Sequence, residues 1–306
     1  MSLALERIAP SHFEVLPQRA LPKLHLVREQ YADRHVVVPD MHGEHEVLGA
    51  IVDRYYDDPD VGFVFLGDIL DRKGVINDPE KGVFKTLDII KNLGGRAVVT
   101  MANHEWLFHA SSSANDPGFR ESLTKEWLGN DSATAIERNV LVSYGMDPSR
   151  RDHTTAKELR RRMARAGHLA ILTSATPYFE TDSFIATHAG VLPNVSWEVQ
   201  RNYLNEVSKE MDDGLFYDRP PQWFSMKLAT STAPIYHTDK TVVSGHAHVL
   251  GGKRQKHDER SLHDGRRIRL ASTLNAPTRA PAFVWQDWDG EIIEIPRESI
   301  PNNREV

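Results

Sequence analysis

Side chains able to hold a metal ion or move a proton recur at separated points along the chain. Asp40 and His42 stand in Pro39-Asp40-Met41-His42-Gly43, and Asp68 follows in Gly67-Asp68-Ile69-Leu70-Asp71-Arg72. Asn103, His104 and Glu105 are consecutive; His188 lies in Thr187-His188-Ala189-Gly190, and His246 and His248 lie in Gly245-His246-Ala247-His248. Imidazole, carboxylate and carboxamide are donors that manganese, iron and zinc all accept. The 306 residues include no cysteine, which removes disulfides, thiolate metal sites, iron–sulfur clusters and a cysteine nucleophile.

These residues follow short apolar runs. His35–Val38 leads to Asp40 and His42, Gly62–Leu66 to Asp68, and Arg96–Met101 to Asn103. Phe184–Thr187 leads to His188 and Thr241–Ser244 to His246. Short unbroken apolar runs bounded by turn signals fit strands buried on both faces. Between the first three runs the spacing turns helical, with Val47, Ala50, Ile51 and Tyr55 inside Glu46–Tyr56 and Val83, Leu87 and Ile90 inside Gly82–Leu93. The N-terminal third therefore reads β-α-β-α-β, the pattern of a sheet with helical crossovers. In such sheets sites gather at the carboxyl ends of strands, so residues distant in sequence converge. Any one of them alone could be a helix cap or a hydrogen-bonded core histidine. Five runs that end alike are not explained that way.

Further strands are expected at Arg267–Ala271 and at Ala282–Asp287, the latter before a hairpin turn at Asp289-Gly290. Residues 1–33 read as an irregular lead-in with a short helix near Leu24–Tyr31, 34–295 as one catalytic domain, and 296–306 as a tail. Within the domain, about 106–175 read as a helical insertion that could form a lid. It carries a helix after Pro117 and a basic helix over Thr155–Arg165, whose arginines are expected to form a solvated face around a stripe of Leu159, Met163 and Ala166.

Lys and Arg number 37 against 43 Asp and Glu, for a net charge of -6, which argues against a dedicated nucleic-acid partner. A bound metal pair would still supply local positive charge for a small anion. No apolar run approaches the roughly 20 residues needed to span a bilayer, so no membrane association and a cytoplasmic location are the expectation.

The ordered set Asp40-x-His42, Gly67-Asp68-x-x-Asp71-Arg72, Asn103-His104-Glu105, His188-Ala189-Gly190 and Gly245-His246 resembles the calcineurin-like metallophosphoesterase superfamily. Its nearest branch is that of the phosphoprotein phosphatases and the related bacterial diadenosine-tetraphosphate hydrolases. The resemblance implies an α/β fold, a four-layer α/β/β/α sandwich of two central sheets flanked by helices. It implies two transition-metal ions, manganese first, with iron or zinc as alternatives. Metal one would take Asp40, His42 and Asp68, and metal two Asp68, Asn103, His188 and His246, with Asp68 shared. A water bridging the metals would attack phosphorus in line. His104 would be the general acid, held by Asp71, since a carboxylate partner raises an imidazole pKa and alkoxide expulsion needs a proton. Arg72 and Arg219 would grip phosphate oxygens alongside Asn103.

Three departures stand out. Ala102 replaces the usual glycine before Asn103, and Lys73 separates Arg72 from Gly74. His248 stands where phosphoprotein phosphatases usually have threonine, and would complete metal one as in the wider superfamily. The implied activity is hydrolysis of a phosphomonoester by a serine/threonine-phosphatase-like enzyme, acting on a phosphorylated small molecule, a nucleotide or a phosphoprotein. Two alternatives are a diadenosine-tetraphosphate-type nucleotide hydrolase and a non-catalytic phosphate-binding scaffold. The scaffold is disfavoured because no ligand position is missing.

Overall fold

The computed structural model describes residues 32–70, 82–128, 138–150, 152–214, 216, 235, 237–246, 266–270 and 282–295. The β-branched run Arg34–Val38 forms β1. α1 (His45–Tyr55) buries Val47, Leu48, Ile51, Val52 and Tyr55, one helical face, and carries the chain back to β2 (Val61–Phe65), parallel to β1. α2 (Val83–Leu93) repeats the crossover to β3 (Ala97–Val99), parallel to β2. β3 stops short of the apolar run that encodes it. Thr100 N still donates to Phe65 O of β2 at 2.8 Å, while Thr100 bridges to Thr176, whose O accepts from Met101 N at 2.7 Å.

Helices α3 (Asn103–Ser113), α4 (Pro117–Leu128), α5 (Arg138–Ser143), α6 (His153–Ala166) and α7 (Leu169–Thr173) follow. The bounds of α6 are chemical: Asp152 accepts from Thr155 N at 2.9 Å, and Gly167 ends the helix at φ 79°. Its arginines divide. Arg161 and Arg162 pair with Glu158, as a solvated face should, whereas Arg160 is half-buried and turned towards α3. Then come β4 (Phe179–Glu180), β5 (Phe184–Thr187), α8 (Trp197–Asp212), β6 (Thr241–Ser244), β7 (Arg267–Arg269), β8 (Ala282–Gln286) and β9 (Ile292–Ile295).

The strands form two sheets, ordered β3-β2-β1-β8-β9 and β4-β5-β6-β7. β8 joins β1 antiparallel, while β5, β6 and β7 are mutually parallel. One apolar cluster, with Val37, Val64, Phe184, Val243, Ile268 and Trp285, draws a face of each sheet together. A larger cluster joins the opposite strand residues to the helices: Phe63 with Leu87 and Trp127, and Val242 with Leu204 of α8. This is the two-sheet α/β arrangement flanked by helices. The helices of 106–175 share that larger core through Trp106, Phe108, Trp127, Leu159 and Met163. Burying each such side chain contributes roughly 1.5–3 kcal/mol. The expected helix near Leu24–Tyr31, the rest of the lead-in and the tail lie outside the described residues.

Candidate metal centre

β1, β2 and β3 of the first sheet deliver Asp40, His42, Asp68 and Asn103 past their carboxyl ends; β5 and β6 of the second deliver His188 and His246. The connecting turns are zipped to each other. His42 N donates to Asp68 O at 2.8 Å, Gly43 N to Ile69 O at 3.0 Å, and Gly245 N to His188 O at 2.7 Å. Among the described residues the non-glycine positions with positive φ are His42 (43°), Asp68 (45°) and His246 (59°). Each left-handed residue costs on the order of 1–3 kcal/mol, and such strain clusters at functional sites. Three candidate ligands carry it, each just past a strand end.

Two compact groups of ligand atoms result: His42, Asp68 and His104, and Asp68, His188 and His246, with atoms in each within 4.8 Å of one another. Asp68 belongs to both. Its Oδ2 lies 3.6 Å from His42 Nε2, 3.4 Å from His188 Nε2 and 3.9 Å from His246 Nδ1. Asn103 Oδ1 and His246 Nδ1 lie 3.0 and 2.8 Å from His188 Nε2. Backbone carbonyls orient the rings: His188 Nδ1 donates to Leu66 O at 2.8 Å, and His42 Nδ1 to Leu70 O at 3.1 Å. With Nδ1 protonated, each neutral ring turns its Nε2 lone pair inward, the usual way an outer partner prepares a histidine ligand. A lone pair, a carboxylate oxygen and an amide oxygen converging on one point form a donor set that fits transition-metal ions.

The protonation states agree. Burial pushes His188 down to about 4, reinforced by His246 and His104 against the pull of Asp68, so the ring is neutral. Burial alone would raise Asp68, but His188, His104 and His42 outweigh it and hold the carboxyl well below its usual range. The amide of His104, in the first turn of α3, also donates to Asp68 Oδ1 at 3.3 Å. Asp68 thus serves the helix N-terminus that Ala102, the N-cap, cannot cap with a methyl group. Asp40, fully buried beside Asp68, is driven the other way by burial and by that second carboxylate.

Asp40 is held differently from the expected ligand trio. Its oxygens accept the His246 amide at 2.9 and 3.1 Å, and it lies 3.8 Å from His188 Nδ1. His104, rather than Asp40, completes the compact group with His42, its ring edge-on at 5.1 Å between centroids. His104 and Asn103 are half-buried at the rim, whereas Asp40, His42, Asp68, His188 and His246 are buried. Asp71, Arg72, Arg219 and His248 lie outside the described residues.

One motif residue, Glu105, has no role assigned to it by the sequence. Glu105 is fully buried and accepts three backbone amides, from Asp68 (2.8 Å), Ile69 (2.9 Å) and Leu70 (3.0 Å), so it clamps the loop that carries Asp68. Burial and the Asp68 charge raise it to about 7. Its adjacency to Asn103 and His104 was the only signal in the sequence. Two glycines are dictated by close approach. A Cβ on Gly245 would sit 2.1 Å from Asp40 Oδ1, and one on Gly67 (φ 87°) 2.4 Å from the Ala102 methyl. Gly67 therefore makes the room that Ala102 needs, and Ala102 itself is extended, with φ -125° and ψ 176°.

The calcineurin-like phosphoesterase family model matches residues 34–263. No curated protein matches the chain. Among solved structures, a protein assigned as a diadenosine tetraphosphatase aligns at 16% identity over 90% of this chain and 96% of its own, with a TM-score of 0.46. The cold-active protein-tyrosine phosphatase of a psychrophilic Shewanella species aligns at 16% identity over 86% and 80%, with a TM-score of 0.49. A protein serine/threonine phosphatase from Saccharomyces cerevisiae aligns at 13% identity over 79% and 67%, with a TM-score of 0.41. The family match covers β1 to β6, which include strands of both sheets, and every described ligand candidate: the chain belongs to the calcineurin-like phosphoesterases and is a metal-dependent hydrolase of phosphoesters.

Proposed function

We propose that the chain is a dinuclear-metal phosphomonoesterase, using manganese, with Asp68 shared by the two ions and His104 as the acid. The observation that carries this reading is the membership of one Asp68 carboxylate in both ligand groups. A shared carboxylate offsets the mutual repulsion of two cations about 3.5–4 Å apart. When bound, the ions would acidify the attacking water and neutralise the charge on the phosphate oxygens. The protein's own part is orientation and proton transfer. Leu66 O and Leu70 O fix the two imidazoles, Glu105 fixes the Asp68 loop, and Asn103 offers a neutral oxygen that adds no negative charge. His104, half-buried, would deliver a proton to the leaving oxygen while keeping solvent contact. Arg72 and Arg219 would hold the substrate phosphate, and His248 would complete the first metal's ligands.

Metal analysis and kinetics on two variants test these roles. Asp68→Asn should lose bound metal and activity together. His104→Asn should keep both ions and lose roughly 10²–10⁴-fold in rate on alkyl phosphates, the usual contribution of a general acid. It should lose less on para-nitrophenyl phosphate, whose leaving group needs no proton. Loss of a metal ion in His104→Asn would instead make His104 a ligand, as its place beside His42 and Asp68 allows. A panel of para-nitrophenyl phosphate, a phosphopeptide, bis-para-nitrophenyl phosphate and diadenosine tetraphosphate addresses the substrate. Turnover of diadenosine tetraphosphate alone would overturn the phosphomonoesterase assignment.

A further inference from the structure

Away from the metal centre, a cavity of about 300 Å³ lies where the C-terminal ends of α3 and α8 meet α6 and α7. That volume is at the lower end of small-molecule pockets. No metal-ligand candidate among the described residues lines it. His109 and Ser113, which do, stand roughly 9 and 15 Å beyond Asn103 along α3, at about 1.5 Å per residue. The cavity is therefore separate from the metal centre, though built on the same helix.

Its polarity is divided. Its lining includes Arg160, half-buried, whose Nη1 has among the described residues two neutral partners: His109 Nδ1 at 3.4 Å and Ser112 Oγ at 3.5 Å. The adjacent Arg161 and Arg162 both take Glu158, and no carboxylate pairs with Arg160 among the described residues. His109 Nε2 donates to Leu172 O at 3.2 Å, which leaves Nδ1 as an acceptor for the guanidinium. Burial keeps that ring neutral, its pKa pushed down to about 4, so it offers Arg160 an anchor and no counter-charge. A partly desolvated cation without an anion is costly, and an oxyanion entering the cavity would relieve that cost.

Asp212 and Asp213, exposed at the end of α8, also line the cavity. Carboxylates there suit hydroxyl donors. The Ser208 hydroxyl, one turn earlier, carries no hydrogen bond among the described residues, and Met211 and Phe216 supply an apolar wall. We propose that this cavity binds a small hydroxylated organic anion of the sugar-phosphate class, with its phosphate on Arg160, its hydroxyls on Asp212 and Ser208, and its carbon skeleton against Met211 and Phe216. The site goes beyond the phosphomonoesterase reading and does not depend on it.

Calorimetric titration of the Asp68→Asn chain with ribose 5-phosphate, inorganic phosphate and ribose tests this. Binding that survives loss of the shared metal ligand resides outside the metal centre; Asn103→Ala provides a second such background. Ribose 5-phosphate should bind one-to-one and at least tenfold more tightly than phosphate, with ribose silent. Adding Arg160→Gln or Arg160→Lys should weaken it at least tenfold, the lysine keeping the charge but losing the fork. Manganese-loaded Arg160→Gln should turn over para-nitrophenyl phosphate at the wild-type rate, so failure of the cavity and failure of the metal centre are read separately. No binding in either background, or affinity unchanged by both Arg160 substitutions, would overturn the proposal.

Discussion

Glu105 shows how a residue can matter to a metal centre without touching it. Three amides of the Asp68 loop converge on its two oxygens, and Asp68 sits at φ 45°, a backbone state the loop must be made to hold. A glutamine has one oxygen and one NH2 in that place, so at least one amide would face another donor. Glu105→Gln should therefore cost about 1–3 kcal/mol in chemical denaturation. It should also lower metal content and slow turnover at least tenfold. Metal content and rate equal to wild type would show that the clamp is dispensable. The contrast with the metal-ligand candidates explains what sequence could reveal. The convergence of Asp40, His42, Asp68, His188 and His246 was legible because each follows a buried strand, and the apolar run announces the strand. Glu105 works through backbone hydrogen bonds, for which no spacing exists. The approach of His104 to His42 and Asp68 was equally hidden, since it depends on side-chain directions at two turns.

At the scale of elements, the strands and their turns were largely written in the sequence, and the exceptions have causes. β5 and β6 coincide with their apolar runs. β3 ends at Val99, where Thr176 takes over the pairing through Val99 O and Met101 N, a contact across the helical insertion that no local pattern shows. α8 was missed although Trp197, Gln200, Leu204 and Val207 mark one buried face and Ser196 caps it, because a low mean hydropathy masked a narrow stripe. The turn after β6 allows a strict test. A methyl group on Gly245 would meet Asp40 Oδ1 at 2.1 Å, and the neighbouring His246 amide is what Asp40 accepts. Gly245→Ala should fold and yet lose most activity, with a crystal structure showing Asp40 displaced; an active variant with Asp40 in place would refute the constraint.

The same scale includes a pH effect, because α3 is tied to α7 through His109. Burial lowers this ring to about 4 from an unfolded value of 6.5. The unfolded chain thus takes up a proton at a pH where the folded one does not. The contribution of His109 is fully present above about 6.5, is lost as pH falls from there towards about 4, and changes no further below. Over that window it amounts to roughly 3 kcal/mol at most, at about 1.36 kcal/mol per unit. In urea titrations at pH 7.5 and pH 5, His109→Gln should lose less stability on acidification than the wild-type chain. An equal loss in both would assign the acid sensitivity elsewhere, the neutral His188 being the next group to test.

Viewed whole, the molecule gathers its candidate metal ligands across the seam between two sheets. Asp40, His42, Asp68 and Asn103 come from the first, His188 and His246 from the second. Without metal, the seam holds a cluster of Val37, Val64, Phe184, Val243 and Trp285, together with the bond from His188 to Leu66 O. It also holds Asp40 and Asp68, two buried carboxylates; burial and, after it, their mutual repulsion raise Asp40. Cations bound between them would remove that repulsion and join residues some 200 positions apart, such as Asp40 and His246. Ligands that bind only the folded state stabilise it by mass action, about 2.7 kcal/mol for a site at 100-fold excess over Kd. For a chain of this size that corresponds to roughly 4 °C in Tm per ion. Dialysis against a chelator should therefore lower the melting temperature, and added manganese should restore it in proportion to the logarithm of its concentration. Asp68→Asn should show neither response, because it removes the ligand common to both groups. If the wild-type chain, verified free of metal, melted where the loaded one does, the centre would be an addition to a finished fold rather than a tie between its sheets.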